Sequence, residues 1–312
     1  RHESLRTVFN TIEGKACQVI LQPFKINLSN PEILINLSKH AHKKQQRLVN
    51  WYIKNEIHTK FALDRGPLIR IKLIQLQKEE HVLLITMHHI ISDAWSMGIF
   101  FNELSILYNN YSIGEDIELP ALTVQYADFS LWQRDWLQGE LLEQQLTYWK
   151  EHLAGIPDII ELPTDKIRPK ELTYKGGVYH YDLSKEVRDK LVNLSQDHHG
   201  SLFMVLLSLF QILLHKYSRQ DDIVVGAPIA NRNYREIEGL IGFFVNTLAL
   251  RTIFRDGESF VDVLNNVKKA TLEAYKHQDV PFEQLVDYLN VSRSLNHNPV
   301  FQVWFVLQNL LD

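Results

Sequence analysis

The sequence holds one cysteine, Cys17, in 312 residues. No internal disulfide can form, so a small disulfide-stapled secreted domain is excluded and the chain is expected to be cytoplasmic. Charge of one sign is also scarce in excess: 33 basic against 37 acidic residues leave −4, too little to predict nucleic acid or a membrane as partner. The longest apolar run without a formal charge, residues 200–214, falls short of the roughly 18 residues of a bilayer span and reads as a buried helix. No signal peptide is expected. A P-loop, a GxGxxG after a strand, a GxSxG elbow, HExxH and CxxC are all missing, which removes the usual nucleotide-binding, serine-hydrolase and zinc readings. What remains is a composition 45% apolar and 22% charged, ordinary for a folded protein and long enough for two cores. Starting at Arg1 inside what reads as a folded unit, the chain is expected to be a piece of a longer polypeptide.

Periodicity organises the chain as mixed α/β. Residues 68–75 alternate as a half-buried strand and turn into a second strand at 82–87, a hairpin pattern by register and turn composition. Apolar residues at helical spacing follow at 95–108 and 141–153. Between Gly155 and Gly177 the chain carries Pro157, Pro163, Pro169 and Gly176, the composition of a connector. The second half predicts strands at 178–183, 222–228, 246–253 and 300–307, and helices at 185–196, from 201, and over 259–277. Each half is therefore expected to be an αβ sandwich, with an N-terminal lobe over 1–160, a connector at 161–176 and a C-terminal lobe over 177–312.

The sharpest local signal is Met87-His88-His89-Ile-Ile-Ser-Asp93, a strand ending in two histidines with an aspartate four positions after the second. An imidazole there can face a cleft as a base. Alone it decides little, since chance places a His-x-x-x-Asp spacing about once in a chain of this composition. Taken alone, a satisfied strand-end histidine and a helix-capping Asp93 are the better account of it. Adjacent strand histidines point to opposite faces, so no metal shared by His88 and His89 is expected. His40 and His42 lie in a polar, helical-looking stretch with Lys43 and Lys44.

Six segments, taken in order, resemble the core motifs of the condensation domain of non-ribosomal peptide synthetases, a family similar to chloramphenicol acetyltransferase. Residues 1–9 resemble RHExLRTxF, and Met87 to Ser96 resembles MHHxISDGWS. Tyr126, Asp128 and Trp132 stand in a YxDFAVW-like segment. Residues 241–247 resemble IGxFVNT, 277–283 HQDVPFE, and 293–301 RDxSRNPLF. Ala94 stands where the motif usually has glycine. The family's opening motif and the end of its second lobe are missing, so both lobes are expected to be truncated.

The resemblance implies two chloramphenicol-acetyltransferase-like lobes arranged as a V, with His89 in a tunnel between them. It implies amide formation between a donor peptidyl or aminoacyl thioester and the α-amine of an acceptor aminoacyl thioester. Both substrates would ride on the 4′-phosphopantetheine of carrier domains, upstream for the donor and downstream for the acceptor, with an adjacent adenylation domain and no directly bound cofactor. His89 takes the catalytic role, His88 supports the loop, and Asp93 is a structural acid expected to pair with Arg6 or else Arg1. Ala94, Ser96, Asn246 and Thr247 are candidates to line the tunnel. The stretch from His88 to Leu104 is most similar to the subtype using an L-configured donor. Alternatives within the fold are an epimerisation or acyltransferase domain, heterocyclisation being disfavoured by the histidine pair; an alternative of another kind is a non-catalytic module that recruits a carrier or tailoring enzyme.

Overall fold

A computed structural model describes residues 1–173, 175–291 and 294–308. Strands are β1 (Thr7–Ile12), β2 (Lys15–Ile20), β3 (Leu34–Asn36), β4 (Ile69–Gln75), β5 (His81–Met87), β6 (Asp222–Ile229) and β7 (Asn246–Ile253). Helices are α1 (His42–His58), α2 (Ala94–Ser112), α3 (Tyr126–Trp136), α4 (Gly139–His152), α5 (Lys185–Asp197), α6 (Leu202–Ser218), α7 (Arg235–Glu238), α8 (Phe260–Lys276) and α9 (Phe282–Leu289). Two compact units emerge: residues 1–134 with 232–244, and residues 135–231 with 245–309.

In the first unit β1 and β2 form an antiparallel hairpin across Glu13 and Gly14, both at positive φ (50° and 77°), the backbone a two-residue turn needs to follow strand twist. A second sheet has the order β3-β4-β5, with β3 parallel and β5 antiparallel to β4. The alternation at 68–75 thus forms a hairpin with the next strand, pairing Ile69 with Met87 and Gln75 with His81. Ile74 is fully buried with Ile35 and Leu37, and Leu48, Val49 and Tyr52 of α1 pack on them. Leu68, Ile69 and Ile91 make a separate cluster with Phe61, Met87 and Phe100 under the end of β5.

The second unit is built on β6 and β7, antiparallel and paired from Asp222–Ile253 to Ile229–Asn246. Residues 223–227 are all buried, the continuous apolar run of a strand covered on both faces. Within α8, Val263, Val267, Thr271 and Ala274 recur at helical spacing and are buried, and a reciprocal Ser259–Asp262 capping box starts the helix. Gln211 of α6 donates to Leu250 O (3.0 Å) and accepts from Thr252 Oγ1 (2.8 Å), so a buried amide is satisfied inside the core.

Packing divides the chain elsewhere than at 161–176. Leu146, Trp149 and Leu153 belong to the β6–β7 core, and Trp149 Nε1 donates to His277 O at 2.7 Å, so α4 goes with the second unit, while 232–244 goes with the first. Residues 178–183 form no strand; they are exposed and pair with no backbone among the described residues, and an extended segment becomes a strand only through ladder bonds. Residues 300–307 run beside β6 through a single bridge, Gly226 to Trp304, with Gly226 N–H donating to Val303 O and Phe305 N–H to Gly226 O, both at 2.9 Å.

Gly226 is required by contact. A Cβ there would lie 2.1 Å from Phe301 Cε2. Gly226→Ala is expected to destabilise the second unit by about 1–3 kcal/mol through overpacking, read as a lower urea midpoint; an unchanged midpoint would show that the Phe301 ring yields freely.

Candidate active site

The end of β5 sets the site. His88 N–H donates to Leu68 O (2.9 Å), continuing the β4 pairing, and His88 Nδ1 then accepts Ile90 N–H (3.1 Å), starting a one-turn 3-10 helix at His89–Ile91. The His88 ring stands edge-on to Phe61, 5.8 Å between centroids. This histidine is a local cap. One residue later the backbone turns and His89 is exposed. Its ring meets Phe243 at 5.2 Å and 83°, and no hydrogen bond holds it among the described residues.

Asp93 is the N-cap of α2. Its Oδ1 accepts Ser96 N–H (2.8 Å), and its Oδ2 accepts Phe244 N–H (3.0 Å). The carboxylate is buried, as is its ion partner, with 4% and 1% of the two side chains exposed. That partner is Arg232, at 3.2 Å, not Arg6 or Arg1. Arg6 instead pairs with Glu3 at 3.1 Å, and Arg1 with Glu103 while donating to Pro120 O. Arg232 is held in place by its Nη1, anchored on Ile237 O (2.6 Å) and Leu240 O (2.8 Å), which leaves Nη2 for Asp93 and for Ser96 Oγ (2.8 Å). Its guanidinium also lies 4.1 Å over the Phe244 ring. Burial pulls the Arg232 pKa down and the Asp93 charge opposes that pull.

Ser96 and Asn246 are each held by a full set of hydrogen bonds. Ser96 is wholly buried; its Oγ accepts Gly242 N–H (3.0 Å) and has its single proton between Asp93 Oδ1 (2.7 Å) and Gly242 O (2.9 Å). Asn246, in the second unit, donates to Gln278 O and Val280 O (2.7 and 2.8 Å) and accepts Thr247 N–H and Phe282 N–H (2.8 and 3.0 Å), so its amide is fully satisfied and three of these bonds hold the 277–283 segment to β7. Thr247 is half-buried on β7 and pairs with Pro228. Ala94 is exposed as the first residue of α2 and is not among the residues at positive φ, so nothing in its backbone calls for glycine. Asp279 is clamped reciprocally by Gln145, Nε2 donating to the carboxylate at 2.6 Å and Oε1 accepting the backbone N–H at 3.2 Å. Arg293 lies outside the described residues.

The segment that opens the chain serves the 241–244 loop. Ser4 Oγ donates to Ile241 O (2.7 Å), and His2 Nδ1 accepts Ile241 N–H (3.2 Å) while its Nε2 faces the Glu103 carboxylate at 2.9 Å. An acceptor Nδ1 requires the neutral ring. Burial first, and then the Arg1 charge, push the His2 pKa down to about 4. Below its ordinary value near 6.5 the unfolded chain binds this proton and the folded one does not, so stability is expected to fall as pH drops from about 6.5 to about 4, by at most about 3 kcal/mol. Urea midpoints measured across that window should fall more steeply than in His2→Gln; equal slopes would remove the assignment.

A family model described as the condensation domain matches residues 1–312. The chain belongs to the condensation-domain family. Among curated relatives, a linear gramicidin synthase of Brevibacillus parabrevis is 47% identical over 309 residues, covering 99% of this chain and 4% of that protein. Malpinin synthetase of Mortierella alpina is 44% identical over 312 residues, covering 100% of this chain and 4% of that protein. This condensation domain thus spans a small fraction, 4% to 6%, of its first relatives' length. Among solved structures, the X-domain from teicoplanin biosynthesis matches with a TM-score of 0.86 at 28% identity, over 97% of this chain and 66% of that one. The same X-domain has been solved in complex with OxyB. A four-domain non-ribosomal peptide synthetase bound to AMP and glycine shares the fold, with a TM-score of 0.84 at 24% identity over 98% of this chain and 22% of that one. The mixed α/β fold read from the sequence is the condensation-domain fold. Among the described residues no helix is long and apolar enough to cross a membrane.

Two site residues, Arg232 and Phe243, carry no expectation from the sequence, and Tyr126 is expected there only as a motif residue. Arg232 lies 139 positions from Asp93 in a loop after β6, and no local pattern links the two. Phe243 and Tyr126 stand inside recognised motifs, but only the fold shows them beside His89 and Gly242.

Proposed function

We propose that this domain forms amide bonds between two thioester-bound substrates. The observation that carries the reading is His89, an exposed imidazole at a strand end, on a loop locked from behind by the buried Asp93–Arg232 pair. The α-amine of an acceptor aminoacyl thioester attacks the donor carbonyl carbon. A C–N bond forms, the tetrahedral intermediate collapses, and the C–S bond breaks to release the donor thiolate. His89 orients the amine, takes its proton and returns a proton to the leaving sulfur. Both substrates are carried on phosphopantetheine arms, the donor on an upstream and the acceptor on a downstream carrier domain; an adenylation domain that loads the acceptor completes the module. An L-configured donor suits the motif from His88 onward.

The test is a loading assay with the domain in its complete polypeptide. Donor and acceptor carriers charged with different amino acids should yield a dipeptidyl thioester on the acceptor carrier. Two carriers that stay charged and unjoined would overturn the reading. The X-domain complex with OxyB supports a second one, a docking module, and binding of a carrier or tailoring protein without product formation is the outcome that selects it.

A further inference from the structure

A proton acceptor that is exposed and not hydrogen-bonded needs something to hold its ring, because a histidine side chain has two free torsions and catalysis depends on aligned geometry. Around His89 the contact that does so is the edge-on approach of Phe243, 5.2 Å between centroids. Phe243 is half-buried, and its backbone is pinned on both sides. Gly242 N–H and Gly242 O both meet Ser96 Oγ (3.0 and 2.9 Å), and Phe244 N–H meets Asp93 Oδ2 (3.0 Å). Tyr126 Oη donates to the Phe243 carbonyl itself at 2.8 Å. The Tyr126 ring closes the space over Gly242 so completely that a Cβ there would lie 2.3 Å from Tyr126 Cδ2. These groups together fix the direction in which the Phe243 side chain leaves the backbone.

We propose that Phe243 is a positioning residue for His89, its ring holding the imidazole in the orientation that meets the acceptor amine, with Tyr126 setting Phe243 through its carbonyl. The inference rests on the amide-forming reading above. It also gives the Asp93 carboxylate a second role, because the oxygen that accepts Phe244 N–H holds the residue next to the ring that orients the base.

The experiment is single-turnover dipeptidyl-thioester formation by the complete polypeptide, with the rate followed against acceptor-carrier concentration. Phe243→Leu, which keeps apolar bulk and removes the ring, is expected to lower the saturating rate about tenfold with an unchanged half-saturating concentration. Phe243→Tyr, which keeps the ring, should return the rate to within about twofold of the parent, a rescue that a merely structural contact would not require. Tyr126→Phe leaves the ring over Gly242 and frees the Phe243 carbonyl, and should cost about threefold. A Phe243→Leu rate equal to the parent while His89→Ala is impaired overturns the inference, as does a loss that Phe243→Tyr fails to restore or one that appears only in the half-saturating concentration. If His89→Ala itself keeps the parent rate, the amide-forming role of His89 fails and not the contact.

Discussion

Replacing Arg232 with leucine is expected to destabilise the first unit by about 3–5 kcal/mol, because it leaves the buried Asp93 carboxylate without its counter-charge. Two further terms add to the loss of the ion pair. Ile237 O and Leu240 O lose the donor that satisfies them, and Phe244 loses the cation over its ring. Arg232→Lys separates charge from shape. An ammonium keeps the sign but cannot span two carbonyls on one side and a carboxylate on the other as a planar fork does, so it should recover only part of the loss, leaving about 1–2 kcal/mol. Urea midpoints of the three proteins check this. A leucine variant within about 1 kcal/mol of the parent would mean that the pair's desolvation cancels its attraction even when one partner is removed.

What the sequence reveals of this site divides by range. Asp93 as a cap is a local matter, three residues from the Ser96 N–H it accepts, and its residue type suffices to predict it. Its ion pair is a long-range matter. Arg6 and Arg1 belong to a motif, yet they sit on Glu3, Glu103 and nearby carbonyls, and their segment reaches the site by carrying His2 and Ser4 to the Ile241 backbone. The same division holds for the fold. The β4–β5 hairpin follows from alternation and a polar turn, and α8 from its apolar spacing. The β1–β2 hairpin is just as local, with Glu13-Gly14 between two short runs, but is not among the expected elements. Residues 178–183 have a strand's composition, but a strand needs a neighbour, which no sequence window contains. Ser96 and Asn246 show the limit most clearly: a small polar residue near a catalytic motif lines a channel or locks a backbone according to which partners the fold brings, and here each has a full set.

His89→Ala is expected to slow dipeptidyl-thioester formation by on the order of 10²-fold or more, about 2.7 kcal/mol of barrier. The size follows from what the substrates already supply. An α-amine with a pKa near 8 is roughly one-tenth neutral at pH 7, and a thioester is an activated acyl donor, so proton removal is a modest part of the barrier. Holding the amine against the carbonyl is worth more, up to about 7–11 kcal/mol in a well-oriented pair, and one imidazole supplies a share of it. Because the ring is exposed rather than woven into the core, its removal should leave the unfolding midpoint close to the parent's. Added imidazole then tests the chemistry: a free base entering the vacated position can take the proton but cannot restore the held geometry that Phe243 gives His89, so rescue should be partial. Full rescue would make His89 a base and little else, and an undiminished rate in His89→Ala with both carriers charged would remove it from the reaction altogether.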